Sequence, residues 1–175
     1  MRLGTDFYTR DVLDVAPDVV GKILCRRLGE MVLRGRISEV EAYRGEHDTA
    51  CHARAGRTKR TEVLYMVGGH TYVYLCYGIH CLLNVVTGAE GDPQAVLIRG
   101  LAEVSGPGRL TKAYGITLEE NRMDLVTSQT LWLEDDGFVP QIETSKRVGI
   151  GYATPEDQAR LWRFSAVRPP LADRS

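Results

Sequence analysis

Glu41 is a carboxylate on a stretch, Ile37-Ser-Glu-Val-Glu-Ala-Tyr43, whose other residues favour an extended, largely buried strand. Burying an ionised carboxylate alone is prohibitively costly, so Glu41 must be paired or must face a wet cleft. Arg99, embedded in Val96-Leu-Ile-Arg99, is the natural partner. A Glu beside an Arg stays ionised at neutral pH, which leaves two readings: a structural ion pair, or a general base that takes a proton from water. Aromatic residues make up only 7% of the chain, yet Tyr43, Tyr72, Tyr74 and Tyr77 concentrate around this carboxylate and in one hairpin. With His52 they can form a slot with two aromatic walls, the shape that holds a flat heterocycle by stacking. Tyr77-Gly78-Ile79, at a turn, can project a rigid aromatic wedge.

These groups need strands to position them. Lys22 to Leu28 and Val32 to Tyr43 read as two strands joined at Gly29-Glu30, with Ile37, Glu39, Glu41 and Tyr43 on one face of the second. Acidic residues sharing a face with Ile37 break the ordinary in/out pattern, and such breaks are where function is usually found. Arg44 to Thr61 reads as a long loop, a length usually reserved for function. Thr71 to Tyr77 and His80 to Val86 form the hairpin, and Ala95 to Ala102 a further strand. Asp11 to Val20 has a helical period broken by Pro17, predicting a short, kinked or two-piece helix that ends at Gly21. A short basic helix follows Gly106-Pro107-Gly108, another is expected over 119–125, and Thr130–Glu134 and Trp162–Val167 look like strands. Strands and hairpins without regular β-α alternation predict an α+β fold: a mainly antiparallel β-sheet core, surrounding short helices and a protruding hairpin. The expected organisation is a single domain over 1–175, a length at which the core needs no staple and little room remains for a further domain.

The composition is that of a globular protein, with 43% hydrophobic and 26% charged residues. The start of the chain lacks a signal peptide and no apolar run is long enough to span a bilayer, so the expected location is cytoplasmic, with no membrane partner. Net charge is −1, so no whole-molecule basic field points to nucleic acid. The charges are nevertheless segregated along the chain. Arg54, Arg57, Lys59 and Arg60 fall together without an acid, whereas Glu119, Glu120, Asp124, Glu134, Asp135 and Asp136 crowd a later stretch, so a basic face and an acidic face are both expected. Cys25, Cys51, Cys76 and Cys81 are expected to be reduced thiols. Only Cys76 and Cys81 have even a loosely metal-like spacing, and no metal or other cofactor is expected.

Taken in order, Leu33-Arg-Gly-Arg-Ile-Ser-Glu-Val-Glu-Ala-Tyr43, His52, Tyr72-Val-Tyr74 with Tyr77-Gly78, Asn84, Val96-Leu-Ile-Arg99, Gly106-Pro-Gly-Arg-Leu110 with Lys112, and Arg147-Val-Gly-Ile-Gly151 resemble the alkyladenine (3-methyladenine) DNA glycosylase family. The resemblance runs from about Asp6 to Phe164. It implies that Glu41 is the general base activating the water that attacks C1′ of a flipped nucleotide, with Arg99 and the main chain at Val148 holding that water. It implies that Tyr43 forms one wall of the base pocket and His52 with Tyr74 the other, and that Asn84 crowds out the 2-amino group of normal guanine. Tyr77, with Ile79 beside it, matches the side chain inserted into the minor groove. Ile79 stands where mammalian relatives carry Met, Cys51 where they have Ala, and the connection from Arg99 to Gly106 is shorter than theirs.

The expected activity is therefore excision of alkylated purines from double-stranded DNA, with deaminated and etheno purines as further candidate substrates. The protein is expected to act as a monomer and to leave an abasic site. No lysine falls in the matched segments around Glu41 and Arg99, which argues for a monofunctional glycosylase without a Schiff-base lyase step. Arg54, Arg57, Lys59, Arg60, Arg109 and Lys112 are the expected phosphate contacts. Two rivals remain on the residues alone. One is a non-catalytic module that stacks a nucleic-acid base while Glu41 only pairs with Arg99; the other is a metal-dependent hydrolase built on His47, His52, Glu41 and cysteines.

Overall fold

In the computed structural model, residues 1–168 and 170–172 are described, so the end of the expected 1–175 range lies partly outside them. The sheet is organised around one long strand. β1 (Ile23–Leu28) turns through Gly29-Glu30 into β2 (Met31–Arg44), whose first half pairs with β1 and whose second half pairs with β5 (Gln94–Leu101) on one side and β9 (Arg163–Ala166) on the other. β3 (Thr71–Cys76) and β4 (His80–Val86) form the hairpin, and β4 continues the sheet onto β5. β7 (Leu131–Glu134) closes the far edge against β1, giving the order β3-β4-β5-β2-β1-β7. β6 (Val104–Ser105) pairs with β5, and β8 (Ile142–Ser145) with β9. All of these pairings are antiparallel, and the helices are short, which makes the fold the expected α+β class.

β2 departs from simple alternation at the point that matters most. Its register against β5 shifts between Ile37 and Glu39 and again between Glu39 and Val40, a bulge that re-aims every side chain beyond it. Ile37 consequently packs in the main core with Val40 and Ala42, while Glu39 and Glu41 both reach Arg99 on the other side. The expected face shared by Ile37, Glu39, Glu41 and Tyr43 is thus corrected: Ile37 belongs to the opposite face. The bulge resolves the apparent conflict in the pattern, because one face of the strand stays apolar and the other carries the carboxylates.

α1 (Thr5–Tyr8) and α2 (Val12–Val19) cover the core face with Tyr8, Val12, Val15, Ala16 and Val19, all fully buried. α2 is one uninterrupted helix rather than two pieces, with Pro17 accommodated inside it and the Asp11 side chain capping its start by accepting from Leu13 N–H. α3 (Pro107–Ala113) is the expected basic helix, with Pro107 in its first turn and Leu110 buried. The helix expected over 119–125 does not form. That segment is a 3₁₀ turn at Leu118–Glu120 followed by irregular backbone with Arg122 at φ +63°. Its polar groups are bound elsewhere: Glu120 turns inward to Arg26, and Asn121 Oδ1 accepts from Val73 N–H of β3. α4 (Pro155–Ala159) and β8 were not anticipated from the sequence. Among the described residues, no helix is long and apolar enough to cross a membrane.

Candidate active site

Glu41 sits mid-sheet, opposite Leu97 of β5 on one side and Arg163 of β9 on the other, and is fully buried. Its carboxylate is nonetheless well supplied with donors. Oε1 accepts from Tyr43 O–H at 2.8 Å and Oε2 from the Val148 N–H at 2.6 Å. Arg99 Nη1 stands 3.6 Å from Oε1, while its Nε donates to Glu39 Oε1 at 3.1 Å, so the guanidinium is shared between two carboxylates. Burial raises the Glu41 pKa above its ordinary value. Arg99, the Val148 N–H and the Tyr43 hydroxyl pull it back down, and Glu39 adds a smaller upward push. The net direction is upward, so the depressing effect expected from Arg99 is outweighed by desolvation. A carboxylate of raised pKa is a stronger proton acceptor than a solvated one.

Three of the groups around Glu41, namely Tyr43, Arg99 and Val148, line an open cavity of about 840 Å³. His52 and Tyr74, whose ring centroids lie 4.6 Å apart, line the same cavity. Tyr72 packs behind them, 5.3 Å from Tyr74, and its hydroxyl is 2.8 Å from His52 Nδ1. Burial, with the nearby Arg60 and Arg54, lowers the His52 pKa to about 4, so its ring is neutral at pH 7. Asn84 lies on β4 between Tyr72 and Leu97, buried, with Nδ2 donating to the Tyr72 carbonyl at 3.1 Å. It lines a narrow recess that shares Tyr43, His52 and Tyr74 with the main cavity. The long loop expected over 44–61 does carry His52, on a short 3₁₀ turn at His52–Ala55.

The hairpin between β3 and β4 ends beside this cavity. Tyr77 and Gly78 take left-handed backbone, φ +52° and +69°, and the Ile79 N–H closes the turn onto Cys76 C=O. Left-handed backbone at both central positions is the hairpin turn whose twist matches the strands, and it is a costly place for a tyrosine. Tyr77 and Ile79 stand out from the surface with 92% and 74% of their area exposed. Tyr77 also lines the cavity rim.

This arrangement is a flat aromatic slot beside a buried carboxylate, with an apolar tip alongside it. The family model for methylpurine-DNA glycosylase matches residues 6–105 and 101–170. The chain belongs to that family. A relative from Borrelia garinii subsp. bavariensis, whose assigned name is provisionally that of a 3-methyladenine DNA glycosylase, is 41% identical, covering 90% of this chain and 92% of its own. The DNA-3-methyladenine glycosylase of Arabidopsis thaliana is 41% identical over 94% of this chain and 71% of its own length. A Methanocella arvoryzae relative with the same assigned name as the first is 40% identical over 98% of this chain. The protein is a DNA glycosylase, a hydrolase of DNA repair.

The structure also places beside the site residues to which the sequence reading assigned no role. Arg147 and Asp48 form a pair with almost no side-chain exposure, joined by bonds of 2.7 and 3.0 Å. The guanidinium further donates to the carbonyls of Ala42 and Asp157 and lies 5.0 Å from the Tyr43 ring centroid and 4.9 Å from that of Trp162. It therefore fastens the segment carrying Val148 to the back of the pocket wall. Arg147 stood in a matched motif, but nothing in the 44–61 loop marked Asp48 as its partner. Tyr152, also unmarked, lines both the cavity and the recess.

Three of the expected phosphate contacts, Arg54, Arg60 and Arg109, meet the cavity directly or through the rings that line it. Arg54, Arg57 and Arg60 lie over the rings of Tyr152, Tyr65 and Tyr74, and Arg109 lines the cavity from α3, with Lys112 exposed on the same helix. None of these residues, nor Lys59, makes an ion pair among the described residues. The expected acidic face, by contrast, is largely cancelled. Glu120 pairs with Arg26, Glu134 with Arg34, Asp135 with Lys22 and Asp136 with Arg36, all from the β1–β2 region. Among the described residues, no His, Cys, Asp and Glu side chains gather as a metal-holding group, so His47, His52, Glu41 and the cysteines do not form the rival metal site.

Proposed function

We propose that this glycosylase takes an alkylated purine nucleotide out of duplex DNA into the aromatic cavity and hydrolyses its N-glycosidic bond with Glu41 as general base. The observation that carries the reading is the position of Glu41, a buried carboxylate of raised pKa held by Tyr43, Val148 and Arg99, each of which lines the cavity. Water adds to C1′ and gives its proton to Glu41, while the C1′–N bond electrons leave with the base and neutralise its positive charge. The anionic carboxylate also stabilises positive charge building on the sugar. Tyr43 on one side and His52 with Tyr74 on the other stack the base. Electron-rich rings favour a cationic alkylated purine, and a neutral His52 avoids opposing it.

In this reading Asn84 excludes normal guanine, and Tyr77 with Ile79 fills the gap left by the extruded nucleotide. Arg54, Arg57, Arg60, Arg109 and Lys112 hold phosphates around the opening. Among the described residues, no lysine lines the cavity, which supports a single hydrolytic step that leaves an abasic site without strand cleavage. Deaminated or etheno purines, being neutral, would have to be protonated to leave as readily. The protein acts in this reading as a one-domain monomer, which light scattering with size-exclusion chromatography checks.

The deciding experiment is single-turnover base release from duplexes carrying single defined lesions, with the product strands run before and after alkali. Release of 3-methyladenine, with scission only after alkali, is expected. Absence of release from every alkylated purine would refute the reading, and scission without alkali would refute its monofunctional part.

A further inference from the structure

Tyr152 lies in the segment that follows Val148, and 57% of its area is exposed, unusually open for a tyrosine anchored at both its hydroxyl and one face. Its O–H donates to the Ala50 carbonyl at 2.8 Å, two residues before His52. The Arg54 guanidinium covers its ring at 4.7 Å from the centroid. The ring is thus tethered at its tip and backed by a cation, and its open remainder borders both the cavity and the narrow recess beside Asn84. Fixed aromatic surface at the edge of an aromatic slot does not stack the base. It limits how far a substituent on the base can extend.

We infer that Tyr152 is a specificity-determining residue that sets the upper size of the alkyl group accepted on a purine. The inference rests on the reading that the damaged base enters this cavity. Tyr43, His52 and Tyr74 set the thickness of the slot, which every purine shares. Tyr152 lines both the slot and the recess that holds Asn84, and the Ala50 and Arg54 contacts fix its ring there. Since Tyr152 hydrogen bonds neither Glu41 nor Arg99, its removal should alter selection more than chemistry.

The test uses duplex DNA treated with a methylating or a benzylating agent, and the comparison is restricted to the cationic adducts at one ring nitrogen, guanine N7, which differ in bulk. Released bases are measured by mass spectrometry for the wild type, Tyr152→Ala and Tyr152→Phe, and the benzyl-to-methyl release ratio is compared. Tyr152→Ala is expected to raise that ratio about tenfold or more, the range one hydrophobic group contributes to pocket selectivity. Tyr152→Phe keeps the ring and its Arg54 contact but loses the Ala50 tether, and is expected to raise the ratio less than Tyr152→Ala does; a rise as large as that of alanine would overturn a size limit set by the ring. A ratio unchanged in Tyr152→Ala, including the case in which neither protein releases the benzyl adduct, would overturn the inference. If circular dichroism shows that the alanine variant does not fold, Tyr152→Leu supplies the same comparison. Wild-type failure to release methylated purines would instead refute the underlying reading of the cavity, so the two failures are distinguishable.

Discussion

The Val148 N–H donates to Glu41 Oε2 at 2.6 Å across a separation of 107 residues. The bond joins two distant pieces of chain, the second half of β2 and the segment preceding α4, into one carboxylate environment. The buried Arg147–Asp48 pair stands directly behind it, so the geometry of the proposed base depends on a cation that faces away from the cavity.

Glu41→Gln should reduce base release by roughly 10²–10⁴-fold, the usual contribution of a general base. Binding of methylated duplex should persist. Because burial raises the Glu41 pKa, the native state disfavours its ionisation, and that contribution to stability is lost as pH rises from the ordinary value of 4.5 through the folded pKa. Glu41→Gln should therefore melt higher than the wild type at pH 7.5, as scanning calorimetry would show. The acid limb of the base-release rate should lie above pH 4.5. A limb at or below that value would mean that Glu41 is not the group being titrated.

Asp48→Ala leaves the Arg147 cation buried without its carboxylate. Breaking one side of such a pair costs about 3–5 kcal/mol, readable in urea unfolding. Asp48→Asn keeps one acceptor oxygen and the side-chain volume, and should cost less. Its base release at saturating DNA should still fall while KM changes little, because the loss acts through the position of Val148. Equal activity in a folded Asp48→Asn protein would uncouple the pair from the site.

His52 should titrate near pH 4 by NMR, well below the usual imidazole range. Since the unfolded chain takes up this proton near pH 6.5, the stability arising from the depressed pKa is present above that pH and drains away as pH falls toward 4. His52→Phe should remove this part of the acid sensitivity while preserving a ring on the pocket wall. An imidazole titrating near its ordinary value would contradict the burial seen at this wall.

Tyr77→Gly should not harm the fold. Relief of left-handed backbone is worth about 1–2 kcal/mol, against roughly 0.5–1 kcal/mol for the extra freedom of glycine in the unfolded chain. Base release from fully paired duplex should nevertheless drop sharply, with a smaller drop when the lesion sits in a mismatch that is already loosely stacked. Equal losses on both substrates would argue against insertion by Tyr77.

The hairpin and the long strands were legible because β-branched and aromatic runs bounded by Gly-containing turns leave few alternatives. The Glu41 neighbourhood was legible because carboxylates within such a run violate burial rules. The bulge at 38–39 was not, since inserting one residue alters which face a side chain takes without changing the composition of the strand. β8 and α4 are too short and polar to show a period. The helix expected over 119–125 failed because Glu120 and Asn121 bond to distant strands, which local propensity does not register. Asp48 and Tyr152 sit in loops, where only the folded chain reveals which partner each side chain meets.

Pairing of Glu120, Glu134, Asp135 and Asp136 with bases of the β1–β2 region has a practical result in how the protein meets a charged matrix. With an isoelectric point near 6.4 it should migrate as a weak acid in a focusing gel. The same preparation should bind heparin at pH 7.5, because the unpaired arginines around the cavity present a cationic surface that the overall balance conceals. Each neutralising substitution at Arg54, Arg57, Arg60, Arg109 or Lys112 that removes a phosphate contact should lower the slope of log affinity against log salt for duplex DNA by about one. Bulk titration would miss this division, whereas retention on an anionic column reads it directly.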